Sequence, residues 1–289
     1  MKDLTKGYPA KVIILFAIPM IFGSIFQQLY NIADSKIVST FVGTEALAAV
    51  GATSVVSNTL IGFLNSLTLG FAIPIANSFG GKDYKRMRRM VAGTVLLTLA
   101  GAVVLTVLIL LLIPAILKLL ATPEDIMSPA LAYVRIILYG IIFVSVYNMC
   151  ANVLRAVGDS RTPLYCLIIS VFVNIGLDLL FVNGFHMGIQ GAAWATIISQ
   201  ALSAVLCLGY ILLKFRDIIP EKDEWKPVEG QYSELLTTGL AMGFMSLVVN
   251  FGTIVLQSMD WERQSLRRIQ RQEKCSIYLR YHFIVWEMQ

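Results

Sequence analysis

Residues 91–120 read VAGTVLLTLAGAVVLTVLILLLIPAILKLL, thirty positions whose one charge, Lys118, lies near the end. A hydrocarbon core about 30 Å thick is crossed by about 20 apolar residues in helical form. This stretch is longer than that and apolar on every side. It is entered through Lys82, Lys85, Arg86, Arg88 and Arg89 and left through Thr122-Pro123-Glu124-Asp125. A charged entrance, an uncharged body and a turn at the exit define one membrane span, and the same pattern recurs along the chain.

Working outward from it, the sequence predicts spans over 11–38, 46–77, 90–120, 126–157, 163–182 and 191–215. A seventh begins near Leu235 and loses its apolar character after Ser258. The fold class is therefore all-α, a polytopic membrane protein. Composition agrees: 57% of the 289 residues are hydrophobic and 14% are charged, where a soluble domain carries about a quarter. An ordinary soluble enzyme is excluded. The net charge of +5 comes from residues scattered through loops rather than on one face, so it points to membrane orientation and not to nucleic acid. Cys150, Cys166, Cys207 and Cys275 show neither CxxC nor Cys/His spacing, which argues against a zinc site or a disulfide framework. Lys2, Lys6 and Lys11 before the first span resemble the start of a signal peptide. The apolar run continues to Tyr30 with no small-residue cleavage site, and it is read as a retained helix.

The loops carry turn chemistry. Thr122 reads as an N-cap with Pro123 at the first helical position and Glu124 and Asp125 in the first turn. Gly158-Asp159-Ser160-Arg161-Thr162-Pro163 reads as a glycine stop followed by a proline start. Basic residues alternate: the N-terminal segment, the loop after the second span, that after the fourth (Arg155, Arg161) and that after the sixth (Lys214, Arg216, Lys222, Lys226) are rich in them, and the intervening loops are poor. This places the N-terminus and the even loops in the cytoplasm.

Ionisable groups inside apolar spans are costly and are functional candidates by default. Asp34 lies toward the outer end of the first span and Asp178 in the fifth. Asn174 and Asp178 are four apart, on one helical face, where an amide oxygen and a carboxylate could co-ligate a hard cation or the carboxylate could carry a proton. The bland alternative is interhelical hydrogen bonding. Gln27, Gln28, Asn148, Asn152, Thr196 and Gln200 are weaker candidates for lining a substrate cavity. Pro19 and Pro74 each withhold an N–H within a span and are expected to kink it.

Several of these segments stand together in one known family. Phe16-Ala17-Ile18-Pro19, Asn31-Ile32-Ala33-Asp34, Phe41 through Gly51, Leu154 through Pro163, Asn174 through Asp178 and Gly188 through Thr196 resemble the multidrug and toxic compound extrusion (MATE) family of cation-coupled efflux transporters. The resemblance implies a twelve-helix fold of two six-helix lobes, with alternating access exchanging substrate for sodium or protons. It implies no enzyme activity, no cofactor beyond the coupling ion, small organic, cationic, drug-like substrates, and a place in a bacterial inner membrane. On matching positions, Asp34, Asn174, Asp178 and Thr196 would form the cation or proton site, with sodium held by Asp34, Asn174 and Asp178. Relatives usually have an uncharged residue at Lys36 and a glycine at Ser39; a lysine two positions from Asp34 points away from it on a helix, so weakened coupling is expected. The alternatives are a lipid-linked precursor flippase of the same superfamily, which would need basic residues for a diphosphate, and a membrane-embedded transferase, for which His186 and His282 are not placed.

Against this pattern the chain divides into an N-terminal lobe (1–214), a cytoplasmic linker (215–234), an incomplete seventh helix (235–258) and a tail (259–289). The tail holds 6 basic and 4 acidic residues and lacks the apolar pattern a second lobe requires, so the fragment is expected to be inactive without that lobe. When the third base of each codon is joined to the first two of the next, Met259-Asp260-Trp261-Glu262 forces Gly-Leu-Gly whatever synonymous codons are used. Permitted choices extend this to Gly-Leu-Gly-Thr-Ala-Val-Ile-Ala-Ala-Tyr, an echo of Val42 through Val50, as parallel repeats would produce. The tail is thus expected to be the second lobe's gene in the wrong frame. Sequencing the DNA beyond Ser258 checks this: the other frame should encode six further apolar spans, and an early stop there sinks the idea.

Overall fold

Within hydrocarbon no water is at hand for backbone N–H and C=O groups, so segments of this composition must close their hydrogen bonds internally. The computed structural model of the chain describes residues 8–119, 122–226, 228 and 230–253. Its long segments are helices: α1 (Pro9–Phe41), α2 (Thr44–Gly80), α3 (Tyr84–Leu119), α4 (Glu124–Ala156), α5 (Arg161–Asp178) and α6 (Gly188–Lys214), followed by α7 (Gln231–Thr253). A π-helical turn, Leu179–Gly184, continues α5. With it included, all seven are long and apolar enough to cross a membrane, and no strand occurs among the described residues. The protein is a multi-pass, all-α membrane protein. Helix α7 starts at Gln231, four positions before the expected Leu235; residues 254–258 of the expected span, the tail 259–289, and Lys2 and Lys6 lie outside the described residues. Neither Pro19 nor Pro74 interrupts its helix.

Two turns differ from their sequence reading. Thr122 does not cap α4: the flanking residue is Pro123, at φ −56° and ψ 147°, and the Thr122 hydroxyl is buried without a partner. Proline's fixed φ makes the extended entry by itself. After α4, Gly158 adopts φ +90°, and the N–H groups of Gly158 and Asp159 reach the carbonyls of Arg155 (3.0 Å) and Leu154 (2.9 Å). The next helix starts at Arg161 rather than at Pro163. Asp159 does the capping: its Oδ1 accepts from the N–H groups of Arg161 (3.0 Å) and Thr162 (3.1 Å), and its Oδ2 from the Thr162 hydroxyl (2.6 Å). A carboxylate there also meets the positive end of the helix dipole.

Helix α4 is the centre of the bundle. It packs most extensively on α2 and α6 and also touches α3 and α5. Many of the largest fully buried side chains come from α2 (Leu64, Phe71, Ile75), α3 (Met87, Ile113, Leu117) and α4 (Leu138, Ile141, Leu154). Helix α1 is held mainly by α5 and exposes Ile14, Phe22, Ile25 and Leu29. Spans in lipid gain little from apolar burial and associate through close packing instead. The tightest approach joins α2 to α7, where a Cβ on Gly70 would lie 2.5 Å from the Thr238 carbonyl oxygen and 2.6 Å from the Gly239 Cα. The chain divides into two units after Phe244; of the second, residues 245–253 are described, as helix.

At the basic end, the expected linker is fastened to the start of α3. Short 3₁₀ turns occupy Arg216–Ile218 and Lys222–Trp225. Buried Glu224 accepts from Arg88 Nε (2.7 Å) and Nη2 (2.8 Å), and its Oε2 also takes the Glu221 N–H at 2.9 Å. The Arg88 guanidinium holds the Glu224 carboxyl below its ordinary range, so this contact persists at neutral pH and weakens only on acidification. Arg86 Nη2 donates to both oxygens of Glu234 (3.0 and 2.9 Å).

Because both atoms facing Gly70 belong to backbone, Gly70→Ala must push α7 off α2. It is expected to destabilise the bundle by about 1–3 kcal/mol, read as a lowered thermal unfolding midpoint in detergent, whereas alanine at Gly80, which faces open space, should cost less.

Candidate functional site

Helix α1 carries a polar stripe. Gln27, Tyr30, Asn31, Asp34 and Ser35 recur at three- and four-residue spacing and therefore share one face. That face, with α2, α4 and α6, encloses a cavity of about 480 Å³. Ser54, Ser57, Asn58 and Asn65 of α2, Tyr133, Tyr147 and Asn148 of α4, and Thr196 and Gln200 of α6 complete its polar lining, with Ile61, Ile137 and Ile197 between them. The lining includes one carboxylate, Asp34, and no Lys or Arg among the described residues. Its size falls within the range of about 300–1,000 Å³ usual for small-molecule sites.

Asn174 and Asp178 do not line this cavity. Both are fully buried on α5, and every side-chain polar atom of the pair, both oxygens of Asp178 and the oxygen and nitrogen of Asn174, lacks a hydrogen-bond partner among the described residues; Asp34 Oδ1 is in the same position. The two carboxyl groups lie within Coulombic reach of each other, and Tyr30 and Tyr133 are within reach of both. The Tyr30 hydroxyl donates to Thr196 Oγ1 at 3.1 Å, which ties α1 to α6. Immediately after Asp178 the backbone changes to π-helical bonding, a rare local form often found at functional sites.

The remaining expected residues divide plainly. Asn148, Gln200, Thr196 and Gln27 line the cavity, but Gln28 is exposed on the other side of α1 and Asn152 is elsewhere. One residue step turns a helix by about 100°, which is why adjacent glutamines part. Asn152 serves the packing instead: its Nδ2 donates to Thr68 Oγ1 at 3.0 Å, and its oxygen accepts from Arg155 Nη1 at 2.9 Å, linking α2 to α4. Lys36 is exposed while Asp34 is half-buried. Tyr30 and Tyr133 are site residues the sequence reading missed; the signal for Tyr30 was its position four residues before Asp34. Arg135 is a charge inside an apolar span that was also missed, and it is exposed in a different cavity with Lys118.

Among the described residues no three His, Cys, Asp or Glu side chains are grouped to hold a metal. The donors gathered here are instead two carboxylates, an amide oxygen and hydroxyls. Such hard oxygen donors suit an alkali or other hard cation rather than zinc or copper.

The described residues thus form a helical, multi-pass bundle with a polar cavity and unpartnered carboxylates beside it. The MatE family model matches residues 19–180, more than half of the sequence, and the chain belongs to this family, whose members are transporters and not enzymes. It is 30% identical over 261 residues to "Probable multidrug resistance protein YpnP" of Bacillus subtilis, covering 89% of this chain and 57% of that one. It is 27% identical over 254 residues to "Probable multidrug resistance protein NorM" of Thermotoga maritima, covering 86% and 54%. A solved MATE family multidrug resistance transporter of the MOP superfamily, in an outward-facing conformation, superposes with a TM-score of 0.83 at 26% identity, covering 89% of this chain and 57% of that one. The chain spans about half the length of the curated relatives it matches.

Asn152→Ala should remove a buried bridge and cost about 1–3 kcal/mol of stability, whereas Gln28→Ala should stay within about 0.5 kcal/mol. Paired thermal unfolding measurements in one detergent check both; equal effects would contradict the division between packing and exposed positions.

Proposed function

We propose that this chain supplies the N-terminal lobe of a cation-coupled multidrug antiporter of the bacterial inner membrane, with its N-terminus in the cytoplasm. The observation that carries the reading is the set of buried oxygen acceptors on α1 and α5 that find no partner among the described residues. A buried acceptor without a partner costs about 1–3 kcal/mol, more when charged, and a bound cation or proton removes that cost. Sodium would be held by Asp34, Asn174 and Asp178 with the Thr196 hydroxyl near at hand, and a proton would go to a carboxyl group.

The polar cavity against Asp34 is the substrate site in this reading. One carboxylate and no basic lining residue favour small organic cations, which supports drug-like substrates and gives a diphosphate no cationic partner. Protonating Asp34 or placing sodium there would neutralise the charge that attracts the substrate, so ion and drug compete for one carboxylate. Such competition is sufficient to couple inward ion flow to outward drug flow, provided that access alternates between the two sides. Alternating access rocks two lobes against each other, so in this proposal residues 1–214 work together with a second lobe, and residues 259–289 contribute nothing to transport.

Cation-dependent efflux of a fluorescent organic cation, measured in cells making the chain joined to or co-expressed with a second lobe, tests the proposal. Asp34→Asn and Asp178→Asn should each abolish the dependence on sodium or pH while leaving the protein in the membrane. Efflux whose ion dependence survives both substitutions sinks the coupling site; drug resistance from residues 1–258 alone sinks the requirement for a second lobe.

A further inference from the structure

The basic stretch before α3 is only partly neutralised by the linker. Arg88 is taken up by Glu224 and Arg86 by Glu234. Lys85 and Arg89 have no ion pair among the described residues, and the Nε of Arg89 is buried without an acceptor. Both line a cavity of about 450 Å³ between the first turns of α3 and α7, with Asp83, Arg86, Gln231 and Glu234. Gln231 is 5% exposed. Its Nε2 donates to the Arg89 carbonyl at 2.6 Å, and its Oε1 is buried without a partner.

The cavity therefore offers two cationic side chains without an ion pair among the described residues, Lys85 and Arg89, and one unmet neutral acceptor, Gln231 Oε1. With Arg86 and Glu234 cancelling, Lys85 and Arg89 stand against Asp83, whose Oδ1 already takes the Arg86 backbone N–H at 3.0 Å. The balance favours a ligand with a single negative charge and a hydroxyl to donate.

We propose that this cavity holds the headgroup of an anionic phospholipid of the phosphatidylglycerol type, its phosphodiester on Lys85 and Arg89 and a glycerol hydroxyl on Gln231 Oε1. A lipid is favoured over a soluble anion because the cavity lies where the apolar body of α3 begins: Met90 is part of its wall, and Val91 onward is the uninterrupted span. Basic pockets between spans at the anionic face of a membrane bind such headgroups. Seated there, the lipid would bridge the start of α3 to the start of α7 and hold the linker between them. Only the leaflet that supplies it depends on the orientation proposed above.

The test uses the purified 289-residue chain in phosphatidylcholine nanodiscs, to which phosphatidylglycerol, further phosphatidylcholine of the same acyl length, or inorganic phosphate is added. Lipid retention is followed by native mass spectrometry and stability by thermal unfolding. Phosphatidylglycerol should be retained and should raise the unfolding midpoint, and the other two additions should do neither. Arg89→Gln and Gln231→Leu should each weaken retention by about tenfold, the loss of roughly one charge-assisted or buried hydrogen bond, while Arg135→Gln, in a different cavity, should not. Equal retention of the two lipids overturns the proposal, as does unchanged retention in Arg89→Gln. Phosphate competing as well as the lipid assigns the cavity to a soluble anion and also overturns it. If a variant misfolds, the comparison of lipids on the unaltered chain still decides. The readout is binding rather than transport, so its failure is separate from that of the efflux reading.

Discussion

A carboxylate buried in a membrane protein has no water to solvate it, and the architecture is arranged around that cost. Asp34 and Asp178 come from helices far apart in sequence, yet Asp34 Oδ1 and both oxygens of Asp178 have no partner among the described residues. Buried hydroxyls without a partner occur elsewhere too, at Thr94, Thr98, Thr122 and Ser145, but among the described residues the unmet buried carboxylate oxygens are those of Asp34 and Asp178. These sit where the polar stripe of α1 meets α6 through Tyr30 and Thr196, and where α5 gives way to π-helical bonding. The polar cavity also reaches Asp34, so in the proposed reading the groups that would take a cation and the space that would take an organic molecule share that carboxylate.

Much of this could be read from the amino acids because lipid imposes simple rules. A run such as Val91–Leu120 can only be a span, and an Asp inside one stands out against leucine. Asp34 and Asp178 were singled out on that ground, and Asn174 by its place one turn before Asp178. That ground did not supply rotational phase. On α1 the mark of phase is the three- and four-residue spacing of Gln27, Tyr30, Asn31, Asp34 and Ser35, which a reading of single polar residues does not pick out, and Gln27 and Gln28 were not told apart until the fold placed the first in the cavity wall and the second outside it. Tyr30 and Tyr133 were passed over because an aromatic ring counts as apolar, although each carries a hydroxyl beside the carboxylates. The π-helical turn at Leu179–Gly184 has no compositional mark either, since Leu-Leu-Phe-Val continues the apolar run without a break.

Away from the hydrocarbon the logic changes. The basic residues before α3 read as orientation signals, and part of that charge has a structural use as well: Arg88 and Arg86 receive Glu224 and Glu234 and turn the linker into a strap across the end of the bundle. Exposed ion pairs contribute little, but Glu224 is buried and its carboxylate is bound through two guanidinium nitrogens and a backbone N–H. The same turns bring Gln231 against the Arg89 carbonyl, so the seventh helix starts from a fixed point.

The strap also bears on how the molecule is made. Arg88 and Glu224 are 136 positions apart, and α3 to α6 must all be threaded into the membrane before the acid emerges to meet its arginine. Until then the guanidinium has only solvent or lipid for company, and nothing secures the basic end. The contact can therefore close only once residue 224 has been made, after the six preceding helices, and is unavailable to a chain that stalls before it.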